Sequence, residues 1–430
     1  MKTQHYKSAK SRKKQMRRIA KNDEIMRCLK KEKSISLLLG AGFSAPMGYP
    51  IGNQLNITLL NCTGDDFAFS SAGELCVCKD ETKPDLGFKN SYDWYFDFCK
   101  DAIHYYNDNI KTFDYEEFYD YLQDEAQSDE GLKDIFEKGS YSKSDIENFD
   151  RYASQIDNIY NQLVAFYLED ETGKSWYDDE PHCSKPTFNG YTGFLNCIEE
   201  LSKNHIVNVH TLNHDLFFER LNNTDWINGE LCDGFEELGS PFYGELLHDN
   251  RTYKCRLSRY TGKYKKKIRL YKLHGSKDYY VYHTNKGAIL YPETFIKSRW
   301  GIGNTDFYKE IKKKNGIVEY ENCFINYQPD FLTGTTSKIS RYQEPLLYKK
   351  IFELFKKNLN KAEMLIIIGY GCKDFEVNRY IFEEFGTEKP CFIINPFADD
   401  TVTNFISQMG ANTTLINKQM ENLQLADFKL

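Results

Sequence analysis

The chain has 430 residues, enough for two or three compact units at about 150 residues each. Its apolar share of 40% and aromatic share of 15% allow a sizeable core, and no apolar run approaches the ~20 residues of a membrane-spanning helix. The net charge of −7 conceals an asymmetry: residues 1–33 hold thirteen Lys/Arg against three Asp/Glu. The remainder is distinctly acidic, which excludes a body that binds DNA along its whole length.

The Lys/Arg-rich start lacks the apolar middle and small-residue cleavage site of a secretory signal, so a cytoplasmic protein is expected. The segment Lys10–Lys33 contains few helix breakers and reads as a basic helix or a mobile arm. A solvated tail, an oligomer-packing helix and a contact for nucleic acid or another acidic partner are its open readings. Twelve cysteines are scattered from Cys28 to Cys391, and the only close pair is Cys76 and Cys78. Without paired CxxC spacings, HExxH or an acidic calcium loop, no metal is expected.

Five short apolar runs stand out along the chain: Ser34–Leu39, His205–Val209, Ile268–Leu273, Met364–Ile368 and Cys391–Ile394. Runs of this length suit strands buried on both faces, as in a parallel sheet covered by helices. The expected fold class is therefore α/β, a Rossmann-like parallel sheet flanked by helices, with a mainly helical insertion domain. The insertion spans 61–185, where Tyr92–Asn107, Tyr115–Gln123 and Asp145–Leu168 carry apolar residues at helical spacing. Residues 34–60 and 186–430 would form the sheet domain, behind the arm 1–33. Residues 223–265 and 277–330 read as smaller excursions on the same side.

The turns after these runs carry the chemistry, because ligands of open α/β sheets bind beyond the carboxyl ends of the strands. Gly40-Ala41-Gly42-Phe43-Ser44 opens the first turn, where glycine permits a tight bend and close approach of backbone N–H groups to a phosphate. Thr211-Leu212-Asn213-His214-Asp215 comes after the second run; taken locally it reads as an Asx turn or helix cap. His274-Gly275 comes after the third, and a histidine near its ordinary pKa of ~6.5 is a natural proton acceptor. Gly369-Tyr370-Gly371 and Asn395-Pro396 succeed the last two. Asp374 reads best as a helix N-cap.

In their order these motifs resemble the sirtuin family: a Gly-Ala-Gly-x-Ser turn with Gly48-Tyr49-Pro50 behind it, an Asn-x-Asp motif, and a histidine before glycine. Leu332-Thr333-Gly334-Thr335-Thr336-Ser337 is similar to the family's Gly-Thr-Ser turn, and Asn395 to its strand-end asparagine. Where the family's deacetylases continue Asp-Phe-Arg, this chain reads Ile51-Gly52-Asn53, and it lacks their four-cysteine zinc module. It resembles more closely a divergent bacterial branch whose members degrade NAD⁺ in antiphage defence.

That resemblance implies an NAD⁺ hydrolase that cleaves the nicotinamide–ribose bond. Asn213 would orient the ribose and water, Asp215 would hold the nicotinamide carboxamide, and His274 would accept a proton. Gly40, Ala41, Gly42, Ser44, Gly334, Thr335, Gly369 and Asn395 would bind the dinucleotide. Toxicity of NAD⁺ loss implies gating, by homo-oligomerisation or by a defence partner such as a DNA-translocating ATPase. The competing readings are a non-catalytic NAD⁺ or ADP-ribose sensor, an NAD⁺-dependent deacylase or ADP-ribosyl transferase, and a nucleic-acid protein acting through residues 1–33.

Overall fold

In the computed structural model the described residues are 33–64, 67–70, 73–77, 90–144, 148–168, 188–248, 251–286, 289–299, 302–303, 307–312, 316–322 and 328–429. The expectation for the basic arm therefore lies outside the described residues, Lys33 apart. No helix among the described residues is long and apolar enough to cross a membrane.

Among the described residues seventeen strands occur in chain order: β1 (Ser34–Leu39), β2 (Phe67–Phe69), β3 (Leu75–Val77), β4 (Ile206–Thr211), β5 (Leu231–Cys232), β6 (Gly234–Glu236), β7 (Phe242–His248), β8 (Arg251–Arg256), β9 (Ser258–Lys263), β10 (Ile268–Lys272), β11 (Tyr279–Lys286), β12 (Ile289–Lys297), β13 (Tyr308–Lys312), β14 (Val318–Asn322), β15 (Leu365–Ile368), β16 (Cys391–Ile394) and β17 (Thr413–Ile416). Seven of them form a sheet in the order β17-β16-β15-β1-β4-β10-β5, and every pairing in it is parallel. With helices on its flanks this is the Rossmann-like α/β fold. All five apolar runs lie in this sheet. The second begins one residue later and runs two further than expected, to Thr211. β5 and β17 were not anticipated, because two residues and a Thr-Thr-Leu-Ile edge carry too little apolar signal.

Burial explains the runs. Every residue of β1, β15 and β16 is buried, and a strand covered on both faces has no position for a polar side chain to reach water. One face packs Ile35, Leu37 and Leu39 with Phe194, Ile198 and Leu201 of the helix Thr192–Asn204. The other packs Leu38, Leu365 and Ile367 with Ile351, Phe352 and Phe355 of the helix Tyr348–Lys361.

Between β1 and β4 the chain leaves the sheet. Helices at Ser91–Tyr105, Tyr115–Asp124, Glu130–Lys138 and Phe149–Tyr167 start at Asn90, Asp114, Asp129 and Asn148, each of which caps its helix by accepting from backbone N–H groups. Their apolar faces close on a core of their own, which also takes in Leu55, Leu59 and Phe331 from flanking segments. The hairpin β2–β3 adds a small strand pair to it. The two later excursions are β-rich, forming the antiparallel sheets β11-β12-β9-β6 and β14-β13-β7-β8. Their strands alternate charged and aromatic residues and were invisible to a search for continuous apolar runs.

The register sets the ends of the main strands side by side: Leu39 pairs with Ile368 and Thr211, Thr211 with Lys272, and Ile368 with Ile394. The chain proceeds from β1 to β4 and β10 on one side, then returns to place β15 on the other. The reversal falls between β1 and β15, the kind of switch point where open sheets form their crevice. There two turns pack backbone to backbone. Gly40 and Gly42 donate to the carbonyls of Ile368 (3.0 Å) and Gly369 (2.9 Å). A Cβ on Gly369, whose φ is +60°, would lie 2.3 Å from Gly42 C and Phe43 N.

Gly369→Ala is therefore expected to cost about 2–4 kcal/mol, from strain and overpacking together. Gly386→Ala meets open space at φ +74°, ψ −170°, so it should carry backbone strain of about 1–3 kcal/mol without any added overpacking. Urea unfolding of both variants beside the parent checks the contrast.

Candidate functional site

The crevice at the switch point is a cleft of about 570 Å³, within the usual range for a small-molecule site. Its wall includes Gly40, Ala41, Leu212, Asn213, His214, Asp215, His274 and Thr335. The residues expected to do chemistry are thus brought together from three strand ends. Phe43 supports the first turn from below through edge contacts with Tyr191 and Phe194, and Tyr191 Oη donates to the Phe43 carbonyl.

Asn213 Nδ2 donates to the Gly40 carbonyl (3.0 Å) and to Ser44 Oγ (3.1 Å), so its carboxamide is locked against the first turn. Asp215 Oδ1 accepts from Phe217 N–H at 2.9 Å, the expected Asx turn, and the residue also lines the cleft. Burial pushes the Asp215 carboxyl up, opposed by the nearby Lys272. Lys272 is fully buried, pairs with Glu219 at 3.1 Å and donates to the carbonyls of His214 and Asp215. It holds the 213–215 loop from inside the domain.

The imidazole of His274 is buried, with Nε2 3.3 Å from Tyr342 Oη and 3.5 Å from Asp374 Oδ2. Burial, then Lys338 and His214, hold His274 well below its ordinary range. His214, also lowered by burial, sits at about 3. Both rings are neutral at neutral pH, the state a proton acceptor requires.

Other expected residues lie elsewhere. Gly42 and Ser44 are not among the residues of the cleft wall, and the N–H groups of Gly40 and Gly42 are spent on the carbonyls of Ile368 and Gly369. The glycines are needed there for close approach: a Cβ on Gly40 would lie 2.6 Å from Tyr370 Cα. Gly369 packs under that turn, while Tyr370 and Gly371 reach the wall. Asn395 is outside the wall and accepts from Phe397 N–H (2.9 Å). Gly334 takes φ +97° and packs on Asp120.

Asp120, from the insertion helix Tyr115–Asp124, occupies the donors of the 334–337 turn. Its carboxylate accepts from Thr335 N–H (2.8 Å), Thr336 N–H (3.0 Å) and Ser337 N–H (3.2 Å), and from all three hydroxyls. These bonds outweigh partial burial and hold the carboxyl at about 2. The same helix brings Glu116 to the wall, where it faces Lys338 at 3.4 Å. Lys338 in turn pairs with Asp374 at 3.1 Å. Asp374 does cap the helix Phe375–Tyr380, accepting from Val377 N–H at 3.0 Å through Oδ1; its other oxygen faces His274. Glu116, Asp120, Lys338 and Tyr342 carried no signal in the sequence, since the first three lie in ordinary helical stretches and Tyr342 directly after one.

No protein-family model matches the chain, and no curated protein matches it. Among solved structures it is similar to one described as a Sir2 homolog–NAD complex, at 9% identity over 95% of this chain and 92% of that one, with a TM-score of 0.35. A second concerns the mechanism and regulation of Sir2 enzymes, at 12% identity, 93% and 92% coverage and a TM-score of 0.35. A third is a mutant Sir2 homologue with 2′-O-acetyl ADP ribose, at 9% identity, 94% and 94% coverage and a TM-score of 0.32. Likenesses this low carry no argument about the site, and the fold stands on the sheet itself.

Because the Asp120 carboxyl lies below its ordinary 3.8, the stability it contributes is complete above that value and lost as pH falls toward about 2. Asp120→Asn should lower stability at neutral pH by roughly 1–3 kcal/mol. It should also lose less than the parent on acidification. Urea midpoints of both proteins at neutral pH and at about pH 3 give the comparison.

Proposed function

We propose that the chain is an NAD⁺ hydrolase that cleaves the nicotinamide–ribose bond to give nicotinamide and ADP-ribose, acting as a gated effector in antiphage defence. The observation that carries this reading is the convergence of Asn213, Asp215 and His274 on the Gly40–Ala41 turn in one cleft. The order of those motifs resembles the NAD⁺-degrading sirtuin-like branch, and their clustering at a switch point is what such a resemblance requires.

The residues present fit the dinucleotide in charge as well as in volume. Asp114, Glu116, Asp215 and Asp374 make one part of the wall acidic, and Lys338 and Lys373 stand beside it. An acidic wall suits the cationic pyridinium and the oxocarbenium-like transition state, whereas the lysines suit the pyrophosphate. Nicotinamide departs with the electron pair of the glycosidic bond, and its positive ring makes a general acid unnecessary. Asn213, locked by Gly40 and Ser44, orients the attacking water near C1′. Asp215 accepts from the carboxamide through the oxygen not bonded to Phe217. His274 takes the proton that water releases as the new C–O bond forms.

Nicotinamide release from NAD⁺ by the purified protein tests the reading. His274→Ala and Asn213→Ala should each lower the rate by about 10²–10⁴-fold with NAD⁺ binding retained. The acid limb of the rate should lie below the ordinary histidine value of 6.5, in line with the lowered His274. Tight NAD⁺ binding without release, alone and with a defence partner or nucleic acid added, would instead describe a sensor.

A further inference from the structure

We propose that Asp374 and Lys338 are positioning residues for His274, and that Glu116 of the helical insertion completes the set, so that the reactive histidine depends on a helix more than 150 residues away in sequence. Its catalytic meaning rests on the NAD⁺ cleavage proposed above, whereas its electrostatic meaning does not.

The geometry forms a chain. Glu116 Oε2 lies 3.4 Å from Lys338 Nζ, Lys338 Nζ lies 3.1 Å from Asp374 Oδ2, and that same oxygen lies 3.5 Å from His274 Nε2. Lys338 has a side chain only 7% exposed and Asp374 9%, so neither charge is diluted by water, and a buried pair of this kind acts strongly on its neighbours. No hydrogen bond of normal geometry ends on Asp374 Oδ2 among the described residues. That oxygen is available to accept from the imidazole. Tyr342, stacked on Phe352 with centroids 3.8 Å apart, brings its hydroxyl to the same Nε2 at 3.3 Å. The titratable groups facing His274 from each packed element are thus Tyr342, Asp374, Lys338 with Glu116 behind it, and His214.

Two functions arise from this arrangement. In the resting site burial keeps the imidazole neutral, and the Lys338 ammonium adds to it by opposing a second positive charge. When the ring takes a proton at the nitrogen turned away from Asp374, the Nε2–H points at the carboxylate, which orients the ring and stabilises the imidazolium that forms. An aspartate behind the histidine of a serine protease acts by the same physics. Two carboxyls sharing one ammonium let the site hold both tasks, and Glu116 keeps Lys338 from neutralising Asp374 outright.

The test is a carbon-13 NMR titration of histidine-labelled protein, with the His274 signal assigned by its loss in His274→Gln. The double variant Glu116→Gln/Lys338→Met removes one acid and one base, leaving the formal charge of the cluster unchanged while deleting the cation. The His274 titration should move up by at least about one pH unit, and the acid limb of nicotinamide release should follow. Lys338→Arg should restore the parent titration, and adding Asp374→Asn to the double variant should cancel the shift. An unmoved His274 in the double variant overturns the proposal, as does a shift that survives Asp374→Asn. Should the double variant not fold, Glu116→Gln/Lys338→Gln keeps a hydrogen-bonding pair and takes its place. If the parent protein releases no nicotinamide, alone or with a defence partner or nucleic acid added, the cleavage reading fails on that result, and the titration still decides the positioning roles.

Discussion

Two backbone turns in van der Waals contact, Gly40–Phe43 at the end of β1 and Gly369–Tyr370 at the end of β15, hold the site open in the form described. No side chain could be inserted between them: Cβ atoms on Gly40, Gly42 and Gly369 would all fall within 3 Å of backbone across the contact. The constraint is steric and local, yet everything above it depends on it. It sets the floor of the cleft, presents the Gly40 carbonyl to Asn213, and brings the loop containing Asp374 over β1 to face His274. The glycines of the first turn therefore owe their identity to packing at least as much as to any ligand.

Burial of charge is the second organising constraint. Lys272 and Lys338 are both removed from water, and each is compensated by carboxylates at 3.1–3.4 Å. Such pairs contribute little net stability compared with apolar replacements, but breaking one strands a buried charge. Their value here is positional. Lys272 ties the 213–215 loop to Glu219 beneath it, and Lys338 ties the insertion to the histidine loop. Deletion of either cation leaves its carboxylates buried and unpaired, so it is expected to lower stability as well as disturb the geometry and proton affinity of the site.

Several of the contacts that join the insertion to the sheet domain lead to residues of the cleft. Asp120 clamps the 335–337 backbone, Glu116 meets Lys338, and Phe331 packs into the insertion core while touching the His214 ring at 4.7 Å. A displacement of the helix Tyr115–Asp124 would therefore be felt at three places in the site at once. Gating of the proposed activity through the insertion has a physical route in these contacts, whatever moves the helix.

The sequence by itself determined the sheet and its chemical edge. A strand buried on both faces must be a continuous apolar run, so β1, β4, β10, β15 and β16 were legible, and the turns after them could be read as one site. Apolar residues at helical spacing likewise marked three of the insertion helices, Ser91–Tyr105, Tyr115–Asp124 and Phe149–Tyr167. The antiparallel sheets escaped because their strands are half exposed and mix charges with aromatics, and β5 and β17 because an edge strand needs few apolar residues. Within the cleft, Asn213, Asp215 and His274 were singled out only by the resemblance that the order of their motifs carries, since each read locally as a turn, cap or structural residue, and Asp374 only as a cap. The tertiary structure alone decided that Asp374 also faces His274, that Glu116 reaches Lys338 across 222 residues, and that Asp120 fills the 334–337 turn from 215 residues away. Contacts of that kind are set by how helices dock over a sheet, and no periodicity within either segment records which side chain will stand opposite.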